Sequence, residues 1–191
     1  PSTIGGETPI LDSRKLAKYI KKNRGDIYIK LKKGVYYTRS MSQKDNPKSA
    51  LGRGWENTFN KKDKSSLEVF LNESDMKFKW LDNNCLQVKT KLTPAFRCNE
   101  RTKEETFFNS IISAYTGWND ELNNGKTSIQ YSDGTYLEEY FISDVSKYIE
   151  KHKIEFSWEH GDVLMIDNSI MMHSRNSFVP PRTLYASIKH H

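Results

Sequence analysis

The chain contains few cysteines and no long apolar run. Its two cysteines, Cys85 and Cys98, are too few for a disulfide framework and have no metal-binding spacing. We therefore expect a reducing, cytoplasmic location. No apolar stretch approaches the roughly 20 residues that a membrane span requires. These absences argue against a disulfide-stapled secreted domain and against a membrane-spanning protein.

Acidic residues are also fewer than basic ones. The 191 residues include 30 Lys and Arg against 24 Asp and Glu, a net charge of +6. Such an excess is compatible with nucleic-acid binding, but the lysines are scattered and no recognition motif accompanies them. Nucleic acid is therefore disfavoured as a partner. An acidic carrier protein with a tethered substrate is the alternative that suits a basic surface.

The pattern of apolar residues predicts one domain, residues 1–191, that folds without staples. Residues 14–23, capped by Asp12 and Ser13, and residues 136–152 are predicted helices. Segments 78–80, 86–90, 154–158, 163–166 and 183–188 are predicted strands. Segment 27–31 alternates like a strand, but the sequence does not decide whether it forms a strand or a helix. Many short strands with two clear helices indicate a β-sandwich wrapped by helices.

The most informative segment lies near the C-terminus. Residues 161–168, with the sequence GDVLMIDN, read as a short buried strand with turn residues at both ends. His173 follows this strand, and Arg182 comes nine residues later. Imidazole is a suitable iron ligand, and arginine forms bidentate pairs with carboxylates. The combination indicates a non-haem iron enzyme that uses a 2-oxo acid.

This segment resembles the distal-histidine segment of the taurine dioxygenase and clavaminate synthase-like family, the Fe(II)/2-oxoglutarate-dependent oxygenases. Residues 5–10, with the sequence GGETPI, are similar to the family's Gly-Gly-(Glu/Asp)-Thr segment. Segments 34–39, 54–59 and 131–134 resemble its middle and late regions. The likeness extends over most of the chain, and the order of the motifs is more specific than any one of them.

The resemblance implies a mainly β fold with flanking helices, a distorted jelly roll that is also called a double-stranded β-helix and is cupin-like. It implies Fe(II) as the cofactor and 2-oxoglutarate as the co-substrate. His173 then corresponds to a metal ligand, Arg182 to the residue that binds the far carboxylate of 2-oxoglutarate, and Thr8 to a hydroxyl that bonds the co-substrate. The implied reaction hydroxylates an amino-acid-like or carrier-tethered small molecule, with release of succinate and CO2.

Each of these residues also has a purely structural interpretation. Arg182 follows two prolines and could be an exposed arginine at the start of a strand, and Thr8 could be a turn hydroxyl. His160 and Asp162 have the His-x-Asp form of an iron-binding pair. We interpret them instead as the solvent-facing entry to the predicted strand. Asp167 is expected to hydrogen-bond the turn that leads to His173.

One departure from the family concerns its first two iron ligands, which precede the Gly-Gly-Glu-Thr segment. Here that segment begins at Gly5. We therefore expect the chain to be the C-terminal portion of a catalytic domain that lacks its N-terminal strands, with at most one iron ligand and no activity alone. A related halogenase and a metal-free jelly-roll binding module remain as alternatives. His190 and His191 are given no chemical role.

Overall fold

The structure, a computed structural model, describes residues 4–49 and 51–188. Its helices are α1 (Ser13–Asn23), α2 (Gly25–Lys32), α3 (Trp55–Phe59), α4 (Lys64–Glu73), α5 (Ile111–Gly117) and α6 (Glu139–His152). Its strands are β1 (Ile10–Asp12), β2 (Val35–Met41), β3 (Lys77–Trp80), β4 (Leu86–Lys89), β5 (Arg97–Cys98), β6 (Glu105–Thr106), β7 (Ile129–Tyr131) and β8 (Met171–His173).

The described residues form a mixed fold of helices and antiparallel sheets. The strands pair as one four-stranded sheet and two two-stranded sheets. More of these residues are in helices than in strands, so the expectation of a mainly β chain is corrected, whereas antiparallel strands flanked by helices are confirmed. None of the helices within these residues is long and apolar enough to cross a membrane. His190 and His191 lie outside the described residues.

The four-stranded antiparallel sheet has the order β3-β4-β2-β7. Its long strand β2 lies between β4 and β7, with Arg39 directly opposite Val88 of β4. Because side chains alternate along a strand, one face of β2 carries Val35, Tyr37, Arg39 and Met41. Three of these four side chains are buried, so this face of the sheet points into the interior.

Two groups of buried apolar side chains stabilise the fold. Core one contains residues of β2, β7 and helices α1, α2, α5 and α6, with Leu16, Ile20 and Phe141 fully buried. Core two consists of Met41, Trp55, Leu67, Leu71, Leu86 and Val88. Strand β2 contributes to both cores, so the sheet connects them.

Both predicted helices are present in the structure, and the open segment 27–31 is a helix too. The Asp12 side chain accepts a hydrogen bond from the backbone N–H of Arg14 at 3.0 Å, and α1 begins at Ser13. The open segment 27–31 belongs to helix α2, where Ile27 and Leu31 are buried one turn apart. The predicted helix 136–152 is present but begins at Glu139.

Two predicted strands are wrong. Residues 163–166 and 183–188 have no strand structure, and Val163, Met165 and Tyr185 are 92%, 93% and 94% exposed. A strand requires a neighbouring backbone to accept its hydrogen bonds, and no segment of the described residues pairs with either stretch. The apolar run was therefore a poor predictor of burial here. Segment 154–158 makes a single bridge, between Ile154 and Ile10.

Candidate functional site

The N-terminal segment lies between two other segments of the chain. Strand β1 pairs antiparallel with β8, with Ile10 opposite His173. The pairing continues past the strand, because the N–H of Asn176 donates to the carbonyl of Glu7 at 3.1 Å. On the other edge, the N–H and the carbonyl of Ile10 both bond Ile154 at 2.9 Å. We call residues 7–12, residues 171–176 and Ile154 the N-terminal ribbon.

Thr8 and His173 lie on the same face of the N-terminal ribbon. Thr8 is two residues before Ile10, and Ile10 is opposite His173 in the register. Since alternate residues of a strand point to one side and opposed residues share a side, both side chains project from one face. Thr8 is half-buried and His173 is exposed. The structure thus brings together two of the three predicted site residues.

The Thr8 hydroxyl has a defined partner. The indole N–H of Trp158 donates to its Oγ1 at 3.0 Å. A hydroxyl that accepts one hydrogen bond keeps its own proton for donation. The oxygen of Thr8 is therefore held in place while its O–H can still reach an acceptor on a ligand.

The opposite face of the N-terminal ribbon fixes its register. The side-chain amide of Asn176 donates to Glu7 at 3.1 Å and to Glu155 at 3.3 Å. Lys153 forms an ion pair with Glu155 at 2.6 Å and, together with Asn176, lowers the pKa of that carboxyl. This chain of polar contacts links all three segments of the ribbon and holds Thr8 and His173 in their relative positions.

Arg182 lies beside an aromatic ring rather than in the N-terminal ribbon. Its guanidinium carbon is 5.5 Å from the ring centroid of Phe178, and that of Arg175 is 5.2 Å from the same centroid. No carboxylate among residues 4–49 and 51–188 forms an ion pair with either arginine. Two guanidinium groups near one ring, without an acidic partner, form a cationic site that suits an anion such as a carboxylate.

The metal-binding capacity of the site is limited to one predicted ligand. No group of three or more His, Cys, Asp or Glu side chains within the described part of the chain could hold a metal ion. A facial iron triad needs two histidines and one carboxylate. His173 alone therefore does not make a complete iron site within the described residues.

The His160-x-Asp162 pair behaves as a turn. The Asp162 carboxylate accepts from the backbone N–H of Glu159 at 2.7 Å, and Gly161 has a φ of +95°. This contact uses the carboxylate locally, so the pair belongs to a solvent-facing turn as expected, but the strand that this turn was expected to precede is absent. Asp167 also bonds the turn before β8, because its side chain accepts from the backbone N–H and the hydroxyl of Ser169 at 3.0 and 2.6 Å.

Comparison with known proteins identifies the family. The family model described as taurine catabolism dioxygenase TauD, TfdA family matches residues 1–187. The chain belongs to the TauD/TfdA family. This confirms the resemblance seen in the sequence.

Two curated relatives in the comparison differ in similarity. A clavaminate synthase-like protein of Arabidopsis thaliana is 34% identical over 185 residues. The dapdiamide synthesis protein DdaC of Enterobacter agglomerans is 22% identical over 197 residues. Each alignment covers 96% of this chain and 56% of the relative, so the chain spans about half the length of these relatives.

Two aromatic residues of the site were not predicted from the sequence. Trp158 bonds Thr8 across 150 positions of the chain, and Phe178 lies near both arginines. Both contacts depend on how distant segments align. Trp158 lies in a segment that the alternating pattern did identify as extended, but its partner could not be read from that pattern.

Proposed function

We propose that this chain supplies the co-substrate side of the active site of an Fe(II)- and 2-oxoglutarate-dependent oxygenase. The observation that carries the proposal is the N-terminal ribbon, which places Thr8 and His173 on one face. Its support is membership of the TauD/TfdA family over residues 1–187. Residues 1–191 then form part of one catalytic domain, and the ribbon is part of a distorted jelly roll.

Each predicted site residue has a role that its chemistry allows. His173 would supply one imidazole ligand to iron. Arg182 would bind the far carboxylate of 2-oxoglutarate, because a planar guanidinium can donate two parallel hydrogen bonds to a carboxylate and lysine cannot. Thr8, held by Trp158, donates its hydroxyl proton to the co-substrate. With both bound, the site would use O2 to oxidise a substrate C–H bond, one oxygen atom going to the substrate and the other to the succinate that forms with CO2 from 2-oxoglutarate.

The substrate we propose is a small amino-acid-like or carrier-tethered molecule. The name of the DdaC relative refers to dapdiamide synthesis, which supports a role in the tailoring of small molecules. The net charge of +6 favours an acidic carrier protein as a partner, and binding to such a carrier should weaken as salt is added.

A second candidate function is a metal-free jelly-roll binding module. It is favoured by one observation, that no group of three or more potential metal ligands occurs among the described residues. In this alternative Thr8, Arg175 and Arg182 would bind an anionic ligand without turnover.

The test is oxygen-dependent conversion of 2-oxoglutarate to succinate by the full-length gene product. We expect succinate formation that needs added Fe(II) and is abolished by His173→Ala. His160→Ala is the matched control, because this histidine lies in an exposed turn, and it should leave turnover unchanged. Full turnover by the His173 variant would place the metal site elsewhere, and no turnover in the unchanged protein would favour the binding module.

A further inference from the structure

The outer face of the four-stranded sheet is basic. Strands β2, β3, β4 and β7 contain one arginine, three lysines and no Asp or Glu. Because Arg39 lies on the interior face, the charged residues of the outer face are the three lysines, Lys77, Lys79 and Lys89. None of them forms an ion pair with a carboxylate of residues 4–49 and 51–188. Their positive charge is therefore not neutralised within the described part of the chain.

Two of these lysines are directly opposed. Lys77 of β3 is paired with Lys89 of β4 in the register, and the Cβ atoms of such a pair are roughly 5 Å apart. Like charges in this arrangement destabilise a sheet. Lysines often protect an edge strand from pairing with other chains, which accounts for Lys77 on the edge strand β3 but not for Lys89 on the interior strand β4. An anion bound between the two ammonium groups would remove the repulsion.

Lys89 is held in a defined position. Its Nζ donates to the side-chain oxygen of Gln130 at 2.7 Å and lies 4.4 Å from the ring centroid of Tyr36. These contacts fix the ammonium group without neutralising it, because an amide and an aromatic ring carry no net charge. A fixed cation loses less conformational entropy on binding an anion than a mobile one does. Lys89 is therefore positioned to bind an anion before any ligand arrives.

A depression of about 310 Å³ lies beside the opposed lysines, a volume in the range of small-molecule sites. The side chains with hydrogen-bond donors that line it include those of Lys77, Lys89, Lys91, Thr90 and Ser132. The Thr90 oxygen accepts from the backbone N–H of Tyr37 at 3.0 Å, which leaves the hydroxyl proton of Thr90 available for donation. The depression thus has three ammonium groups and two hydroxyls in its lining.

Two carboxylates at the margin of the depression do not neutralise these lysines. Asp75 and Asp133 also line it, but neither forms an ion pair with a residue of the described ranges. The Asp133 carboxylate accepts from the backbone N–H and the hydroxyl of Thr135 at 2.9 and 2.6 Å, and these bonds lower its pKa. The lysines outnumber the carboxylates, so the depression keeps a net positive charge.

We propose that this depression binds a phosphate group, carried by a small phosphorylated molecule or present as the free ion. Lysine binds phosphate as a point charge, whereas the planar fork of arginine suits a carboxylate. A phosphate monoester has close to two negative charges at pH 7, one for each member of the opposed pair Lys77 and Lys89. The hydroxyls of Thr90 and Ser132 are donors for its remaining oxygens. The site shares no residue with the N-terminal ribbon and does not rest on the proposed function.

The test is an NMR titration of the 191-residue chain at constant ionic strength, followed by the backbone amide resonances of residues 89–91 and 132–134. The probes are glycerol 3-phosphate, inorganic phosphate and acetate. We expect saturable shifts with both phosphates, with a Kd below about 10 mM, and no saturation with acetate. Tighter binding of glycerol 3-phosphate would support a phosphorylated molecule as the ligand, whereas equal binding of the two would support the free ion.

Lys79→Gln is the matched control, because Lys79 lies on the same strand and the same face as Lys77 but does not line the depression. Lys77→Gln and Lys89→Gln should each raise the Kd for glycerol 3-phosphate by about fivefold or more. Lys79→Gln should change it by less than about twofold. The resonances of residues outside the site report whether each variant keeps the fold.

Three results would overturn the proposal. They are the absence of a saturable shift with either phosphate up to about 100 mM, well above a millimolar Kd, an equal loss of affinity in the Lys77 and Lys79 variants, and saturation by acetate. An equal loss would mean that the basic face attracts anions without a specific site. The readout needs neither iron nor 2-oxoglutarate, so its outcome is independent of the oxygenase assay.

Discussion

The hydroxyl of a single residue, Thr8, is oriented by a neighbouring side chain so that it can bind a ligand. Trp158 donates to its oxygen at 3.0 Å, so the hydroxyl is oriented before any ligand arrives. A held donor loses less conformational entropy on binding than a free one. His173, by contrast, is an exposed side chain at the end of a short strand, and its role as a ligand depends on additional groups.

Arg182 is the residue whose role can be tested most simply. In the full-length protein, Arg182→Ala should weaken 2-oxoglutarate binding by ~2 kcal/mol, about 30-fold, because a charge-assisted hydrogen-bond pair is lost. The measurement is the 2-oxoglutarate concentration that gives half-maximal succinate formation.

Arg175→Ala is the matched control for this substitution, since Arg175 lies near the same ring of Phe178. It should change the 2-oxoglutarate requirement much less. If the two variants behave alike, the anion is bound by the general positive charge of the site and not by a specific clamp at Arg182.

Among the secondary-structure elements, helix α1 is stabilised at its N-terminus by the side chain of its capping residue, Asp12. Asp12 accepts from the backbone N–H of Arg14 and forms an ion pair with its guanidinium at 2.8 Å. Hydrogen bonding by the Arg14 side chain is the largest cause that lowers the Asp12 pKa below its ordinary value of 3.8. Because the folded-state pKa is depressed, the stabilisation is present at neutral pH and is lost as the pH falls below 3.8 through the folded-state value.

Asp12→Asn should therefore lower the urea midpoint of unfolding at pH 7. The difference in midpoint between the variant and the unchanged chain should become smaller as the pH falls below 3.8. Asp63→Asn is the control, because Asp63 caps α4 through Ser66 without an arginine partner, and an asparagine can still cap. A gap for Asp12→Asn that does not vary with pH would contradict this account of α1.

The helices and strands also show why only part of the fold could be predicted from the sequence. The helices α1 and α6 were recognisable because capping and apolar periodicity are local signals. The strand predictions for 163–166 and 183–188 were wrong because an apolar run indicates a preference for burial, whereas a strand forms only beside a partner strand that is often distant in sequence. His173 and Arg182 are predicted site residues because of the order of the motifs, whereas the contacts of Trp158 and Phe178 are seen only in the structure.

At the scale of the whole molecule, the sheet unites two cores. Leu67 of α4 is fully buried in core two, whereas Val69 of the same helix is 56% exposed. Leu67→Ala should destabilise the chain by about 3 kcal/mol, through lost burial and the cavity left behind. Val69→Ala, the matched control, should change stability by less than about 0.5 kcal/mol.

Chemical denaturation followed by both tryptophan fluorescence and circular dichroism measures these changes. Because β2 contributes to both cores, the two signals should shift together in Leu67→Ala. Separate transitions for the two probes would mean that core two unfolds independently of core one.

The most direct measurement of the central claim is an anaerobic titration of Fe(II) and 2-oxoglutarate into the full-length gene product, with the 191-residue chain alongside. The readout is the weak visible charge-transfer band of iron chelated by the 2-oxo acid. The account predicts this band in the full-length protein, its loss in His173→Ala, and no band in the 191-residue chain. No band in the full-length protein, or an undiminished band in His173→Ala, would contradict it.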